Sequence, residues 1–83
     1  MIHDKYDMIS GKIKLITVTN EKKFLLIVDT QGLEYIFHIS KHTIIMTFET
    51  LKIDQKVDVI FNGILTVSIP PQGSAIVVNG LKI

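Results

Sequence analysis

Residues 24–39, FLLIVDTQGLEYIFHI, decide the fold of this chain. Two apolar runs flank residues 29–32, DTQG. The side chain of Asp29 can accept backbone N–H bonds at the start of a turn, and Gly32 can adopt the positive φ that a type I turn with a bulge requires. The segment therefore predicts a β-hairpin in which Asp29 lies opposite Leu33.

This register divides the hairpin into two faces. We expect the core face to carry Leu25, Ile27, Leu33, Tyr35 and Phe37. The other face then carries Phe24, Leu26, Val28, Glu34, Ile36 and His38 and is nearly as apolar. A strand with one solvated face normally alternates between apolar and polar residues, so this second face needs a cover, from either the rest of the chain or a partner.

Composition favours one small all-β domain. The chain has 83 residues, of which 47% are hydrophobic, and β-branched residues are abundant. Such residues fit a pleated, half-buried surface. A chain of this length buries only about two-thirds of its unfolded surface and needs dense packing. We expect a flexible polar lead-in at residues 1–8 and a single domain at residues 9–83.

The order of the apolar segments predicts an OB-like small antiparallel barrel of five to six strands. Strands are expected at residues 8–19, twice within the hairpin 24–39, at 56–62 with an extension of the sheet at 64–69, and at 74–78; residues 43–45 are a short strand or an edge piece. Gly11 predicts a bulge or a tight bend in the long first strand. Residues 41–50 show no helical period, so the usual helix of such a barrel is expected to be reduced or absent. Closure would remove the open sheet edges.

Two later segments resemble a known family. Residues 51–59, LKIDQKVDV, are followed by Gly63 and by residues 68–75, SIPPQGSA. These segments are similar to the end of the YobA-like domains of unknown function, small OB-like domains found mostly in secreted proteins and lipoproteins of Gram-positive bacteria. Asp54 stands where that family usually has glycine, and Ile69 where it usually has an aromatic residue. The resemblance implies a fold and a cell-envelope location, and it carries over no catalytic residues.

No pattern in the sequence predicts a metal site or a cofactor. His38 and His42 are four residues apart, a spacing that aligns two ligands on a helix, whereas His38 lies in a predicted strand. His3 with Asp4 and Asp7 lies in the predicted lead-in. The chain has no cysteine, which excludes disulfides and thiolate zinc sites.

The sequence also gives no sign of catalysis. None of the serines lies in a nucleophile elbow, and the absence of cysteine removes thiol mechanisms. Asp54 and Asp58 are interpreted as solvent-facing residues around the predicted fourth strand. Because no nucleophile, base and orienting group can be assembled, we expect the protein not to be an enzyme.

Nucleic-acid binding is the alternative to a protein-binding role. OB folds often stack bases on aromatic residues of their second and third strands. The residues available for this are Lys22, Lys23, Phe24, Tyr35 and Phe37, with Lys41 nearby. The net charge of +1 and the lack of a basic stripe argue against such a partner, and the hairpin register assigns Tyr35 and Phe37 to the core.

The sequence therefore predicts a non-catalytic binding or accessory domain. Its expected interaction face is formed by Phe24, Leu26, Val28, Ile36 and His38, and its partner is a protein or a second copy of the chain. No apolar run is long enough to span a membrane. The location is expected to be the cell envelope by resemblance, or the cytoplasm if Met1 is the native start.

Overall fold

A computed structural model describes residues 5–81. Within that range the chain forms six strands and no helix. The strands are β1 (Asp7–Val18), β2 (Lys23–Asp29), β3 (Glu34–His38), β4 (Ile44–Met46), β5 (Lys56–Phe61) and β6 (Gln72–Asn79). The predicted lead-in of residues 1–8 ends earlier than expected, because Asp7 and Met8 already belong to β1. Its first four residues, which include His3 and Asp4, lie outside the described residues.

The strands form a closed five-stranded barrel with one extra strand. The order is β3-β2-β1-β5-β6-β4, and a parallel pairing of β3 with β6 closes the barrel. A three-stranded meander followed by two more strands is the order predicted for an OB-like barrel, and that prediction is confirmed. The extra strand, β4, pairs in parallel with the end of β6. The segment around β4 replaces the usual helix.

The central hairpin has the predicted register. Leu25 pairs with Phe37 and Ile27 with Tyr35, and the N–H of Asp29 donates to the carbonyl of Leu33 at 3.0 Å. The Asp29 carboxylate also accepts the N–H groups of Gln31 and Leu33. The assignment of Leu33 to the core is wrong. It lies before the first residue of β3 and is exposed, because the turn has not yet returned the chain to the sheet.

A bulge in β1 changes which residues face the core. The pairing with β2 shifts by one residue between Ile13 and Leu15, so Lys14 is the extra residue. The shift turns Leu15 outward and Ile16 inward, because neighbouring residues of a strand point to opposite faces. The bulge therefore lies three residues after Gly11. At Gly11 the chain instead approaches the backbone of β2 closely.

The core is entirely apolar. Its buried members come from β1, β2, β3, β5 and β6, and they are Ile13, Leu25, Ile27, Phe37, Val57, Val59, Phe61, Ala75 and Val78. The rings of Phe37 and Phe61 meet near the centre, with centroids 5.1 Å apart. No polar side chain is buried among residues 5–81. Burial of these side chains is the main favourable contribution to folding.

The predicted strand at residues 64–69 is absent. The Asn62 side chain accepts the N–H of Ile64, and Gly63 has a φ of 82°, so the chain turns away from the sheet after β5. Residues 64–71 form a loop instead. Thr66 and Gln72 close this loop, since the N–H of Thr66 donates to the Gln72 carbonyl at 2.9 Å and the N–H of Gln72 donates to Thr66 Oγ1 at 3.0 Å. Strand β6 begins at Gln72, two residues earlier than predicted.

Strands β3 and β4 lie in succession along the same edge of β6. Between these two strands, the Thr43 hydroxyl donates to the carbonyl of Ala75 at 2.7 Å. This bond gives the Ala75 carbonyl a partner at a position of β6 that pairs with neither β3 nor β4. The connector then reaches β5 through Gln55. The side chain of Gln55 accepts the N–H of Lys52 and donates to the carbonyl of Gly80. The prediction of a short strand near residue 44 and no helix after it is confirmed.

Candidate functional site

The outer face of the central hairpin is an apolar surface that is only half covered. It consists of Leu15 from β1 and of Phe24, Leu26, Val28, Ile36 and His38 from β2 and β3. Leu15, Leu26 and Ile36 are consecutive cross-strand neighbours and form an apolar row across three strands. Leu15 is 48% exposed, and the other five are half-buried. The five residues predicted as an interaction face thus lie together on one surface, and the bulge adds Leu15 to it.

Polar contacts border the outer face on two sides. Near the hairpin turn, Lys14 Nζ of β1 lies 2.7 Å from Glu34 Oε2 of β3. This ion pair crosses β2 near Val28, which is the cross-strand partner of Glu34. At the opposite side the His38 ring packs edge-on against Phe24 and its Nε2 lies 2.7 Å from Gln72 Oε1. An apolar centre with a polar rim is the usual composition of a binding surface.

The loop of residues 64–71 ends beside the outer face and carries further exposed apolar side chains. The N–H of Ile36 donates to the carbonyl of Pro71 at 2.9 Å, so the end of the loop adjoins the apolar row. Leu65 packs on the core, whereas Val67 and Ile69 are fully exposed. Ser68 Oγ donates to the carbonyl of Pro70 at 2.8 Å within the loop tip. The loop that ends beside the apolar row therefore carries two fully exposed apolar side chains.

The residues of the nucleic-acid alternative are separated by the fold. Phe37 is completely buried, so its ring cannot stack on a base. Tyr35 is half-buried and packs parallel to Phe37, with ring centroids 6.2 Å apart. Lys22 and Lys23 are exposed at the other end of β2, near Phe24. Of the three predicted rings, only Phe24 lies beside these lysines.

A second apolar surface, here called the barrel-end groove, lies between the end of β1, the start of β2 and residues 45–51. Its volume is about 280 Å³. Its main apolar lining residues are Ile16, Val18, Phe24, Ile39, Ile45 and Leu51. The groove continues into a more polar cavity of about 410 Å³ with which it shares Lys23, Ile39 and Ile45.

The titratable side chains do not assemble a reactive centre in the described part of the chain. No group of three or more histidine, aspartate or glutamate residues in residues 5–81 could hold a metal ion. His38 bonds to Gln72, and His42 is exposed on the turn that precedes β4. Burial, together with the charge and hydrogen bond of Asp29, raises the pKa of Tyr35. This phenol is held neutral beside a structural carboxylate of the hairpin turn.

Several residues of these surfaces were not identified by the sequence pattern. Uninterrupted alternation from the buried Ile13 would turn Leu15 inward, and the bulge at Lys14 turns it outward instead. Val67 and Ile69 were assigned to a strand, although Asn62-Gly63 before them and the prolines after them are loop signals. The groove depends on which strand ends adjoin, and no local signal in the sequence gives that information.

Neither membrane-spanning segments nor similarity to known proteins identifies a function. Among residues 5–81, no helix of the length and apolarity needed to cross a bilayer is present. In comparisons with protein-family profiles, with curated proteins and with solved structures, the chain has no significant match.

Proposed function

We propose that this protein is a non-catalytic binding module that contacts a protein partner through the outer face of its central hairpin and the adjoining loop tip. The observation that carries the proposal is the full exposure of Val67 and Ile69 on a loop that ends beside the apolar row. Both side chains are fully exposed, and their loop is held beside the apolar row by the hydrogen bond from Ile36 to Pro71. Contiguous exposed apolar surface with a polar rim is typical of protein-binding sites.

The position of this surface on the barrel supports the same function. In OB folds the face of the second and third strands, with the loops at its ends, is the usual ligand-binding surface. The outer face occupies β2 and β3, and the loop of residues 64–71 connects the last two strands of the barrel. This support rests on analogy of fold, and the exposed apolar side chains supply the chemistry.

The experiment compares the parent with a Val67→Lys/Ile69→Lys double variant. Peptides selected from a random library displayed on phage would be mapped by amide NMR, and self-association would be measured by sedimentation velocity. We expect selected peptides, or a second copy, to perturb the amides of Leu26 and Ile36. The double variant should bind at least about tenfold more weakly, because central apolar contacts dominate binding energy.

Phe48→Lys is the matched control, because Phe48 is also strongly exposed but lies on the connector after β4. It should bind like the parent. A strictly monomeric protein whose selected peptides bind the double variant normally, or perturb residues away from the outer face, would contradict the proposal.

Single-stranded nucleic acid is the alternative ligand. It is supported by Lys22, Lys23 and Lys41, which line one cavity together, and by Phe24 nearby. Fluorescence anisotropy with a labelled mixed-sequence oligonucleotide tests it at low salt. Binding that weakens steeply with salt and is lost in Phe24→Ala would replace the protein-binding proposal, because phosphate contacts release counterions and ring contacts stack bases.

A cell-envelope location in a Gram-positive bacterium is proposed on the YobA-like resemblance alone. One local feature is compatible with that resemblance. Asp54, where the family usually has glycine, has a φ of 69°, in the region that glycine adopts most easily. Fractionation of the source cells, with detection of the native protein, tests the location directly.

A further inference from the structure

Two strand edges that have no strand partner among the described residues border the barrel-end groove. β1 pairs with β5 only as far as Lys12 and Lys56, and after them the N–H of Ile13 donates to the carbonyl of Gln55. Beyond Ile13, the edge of β1 opposite β2 has no strand partner within residues 5–81. Its last residues, Ile16 and Val18, line the groove.

Hydrogen bonds at the hairpin ends show which backbone groups of β1 face outward. The N–H of Thr19 donates to the carbonyl of Lys22, whereas the carbonyl of Lys23 accepts the N–H of Ile39 and so points toward β3. Bonding alternates along an antiparallel pair, so Val18, the partner of Lys23, directs its N–H and C=O away from β2. The same alternation directs the N–H and C=O of Ile16 outward.

The edge of β4 that faces away from β6 also has no strand partner among the described residues. The carbonyl of Met46 accepts the N–H of Gly80 at 2.7 Å, so Met46 directs its backbone groups toward β6. Ile45 precedes Met46 and therefore directs its N–H and C=O away from β6. Because Ile45 also lines the groove, unpaired backbone groups from both β1 and β4 border it.

The mouth of the groove is positively charged. Lys22, Lys23 and Lys41 line the adjoining cavity, and Glu21 is the acidic residue among its lining residues. The ion pairs found within residues 5–81 join Lys14 to Glu34 and Lys52 to Glu49, so none of these three lysines is in one. A ligand with an acidic end meets a net positive charge here, because three lysines and one glutamate line the cavity.

We propose that the barrel-end groove binds an extended, apolar peptide segment of a partner protein that is followed by acidic residues. Alternate apolar side chains enter the groove, the peptide backbone pairs with the open edges of β1 and β4, and the acidic residues lie against the lysines. Strand addition of this kind combines backbone bonds with side-chain pockets. An acyl chain would fill the apolar volume but would leave the backbone groups unpaired. This site shares Phe24 with the outer face, but its proposed ligand does not depend on the function of that face.

Amide NMR titrations with short peptides test this proposal. The probe is the hexapeptide acetyl-TVTIDE, and its charge control is acetyl-TVTIKK. We expect the acidic peptide to shift the amides of Ile16, Val18 and Ile45 and to bind at least about tenfold more tightly than the control. Two N-methylated versions of the acidic peptide are also tested. The first is methylated at both threonines and the second at valine and isoleucine, so each version lacks the backbone N–H donors along one edge of the peptide. Each of them should lose at least about tenfold in affinity, because one peptide edge pairs with β1 and the other with β4.

Variants distinguish the groove from the rest of the surface. Lys41→Glu should weaken the acidic peptide, whereas Lys12→Glu, an equal charge change on the outward side of β1, should not. The Val67→Lys/Ile69→Lys variant should bind the peptide normally, so a failure of the outer-face proposal leaves this result unaffected. The proposal is overturned if the acidic peptide does not bind, if either N-methylated version binds normally, or if decanoate displaces the peptide and causes the same amide shifts.

Discussion

The carbonyl oxygen of Val28 occupies the space that a side chain at residue 11 would need. A Cβ built on Gly11 would collide with this oxygen and would lie 2.8 Å from the Val28 carbonyl carbon. The obstructing atoms belong to the backbone of β2 and cannot move aside as a flexible side chain could. Gly11 is therefore required by the close approach of β1 and β2, although the bulge itself lies at Lys14.

Gly11→Ala should consequently destabilise the barrel. We expect a loss of about 1–3 kcal/mol in the free energy of unfolding, the usual cost of forcing a group into a packed site. Urea denaturation followed by circular dichroism measures it. Lys12→Ala is the control, because Lys12 is exposed on the same strand and should change stability by less than about 0.5 kcal/mol. Equal stability of Gly11→Ala and the parent would show that the strands can separate at no cost.

Asp54→Gly should stabilise the protein. Asp54 has a φ of 69°, and a left-handed conformation is strained for a residue with a Cβ, although less so for aspartate than for most. Its N–H donates to the carbonyl of Ile13 at 2.7 Å, a bond that glycine retains. We expect a gain of up to about 1 kcal/mol from relief of this strain, partly offset by the greater chain entropy of unfolded glycine.

Asp54→Ala is the matched variant, since it keeps the Cβ but loses the local hydrogen-bonding capacity of aspartate. It should be less stable than the parent. Chemical denaturation of all three proteins under identical conditions gives the order, and any order other than glycine, aspartate, alanine would contradict the strain at this position.

The stability of the protein should fall at alkaline pH through Tyr35. Desolvation raises the pKa of Tyr35 above its ordinary value of 10.0, and the charge and hydrogen bond of Asp29 raise it further. Tyr35 Oη lies 3.4 Å from Asp29 Oδ2. A raised pKa in the folded state means that the neutral phenol contributes stability below the unfolded pKa near 10. This contribution is lost as the pH rises from there through the folded pKa.

Absorbance of the phenolate measures this effect in a Tyr6→Phe background, where Tyr35 is the remaining tyrosine. Tyr35 should titrate at higher pH in the folded protein than in urea. Asp29→Asn, which keeps a side-chain acceptor for the turn, should bring the folded pKa of Tyr35 closer to its ordinary value. Identical titration curves in buffer and in urea would disprove the interaction.

Phenylalanine residues of the core and surface should respond differently to the same substitution. Phe61 is 1% exposed and packs against Phe37, whereas Phe48 is 79% exposed. Phe61→Ala should cost about 3–5 kcal/mol in the free energy of unfolding. Phe48→Ala should change it by less than about 0.5 kcal/mol. Thermal denaturation followed by circular dichroism separates the two, and similar losses in both variants would mean that Phe48 is covered in solution.

Local chemistry in the sequence determined the fold class, the hairpin and its register. The DTQG turn fixed Asp29 opposite Leu33, and this register correctly placed Leu25, Ile27 and Phe37 in the core. The lack of a helical period after residue 40 correctly predicted a barrel without a helix. These features were predictable because turn type and side-chain alternation depend on neighbouring residues.

Tertiary structure alone decided which apolar residues remain accessible. The bulge at Lys14 turned Leu15 outward, a change that arises from pairing between β1 and β2 and has no signal in β1 itself. The groove exists because the ends of β1 and β4 adjoin without pairing. The loop of residues 64–71 is exposed because the chain turns away from the sheet at Gly63. Such surfaces depend on contacts between residues distant in sequence. The pattern of apolar residues therefore predicted the barrel, whereas its packing decided which apolar surfaces stay accessible.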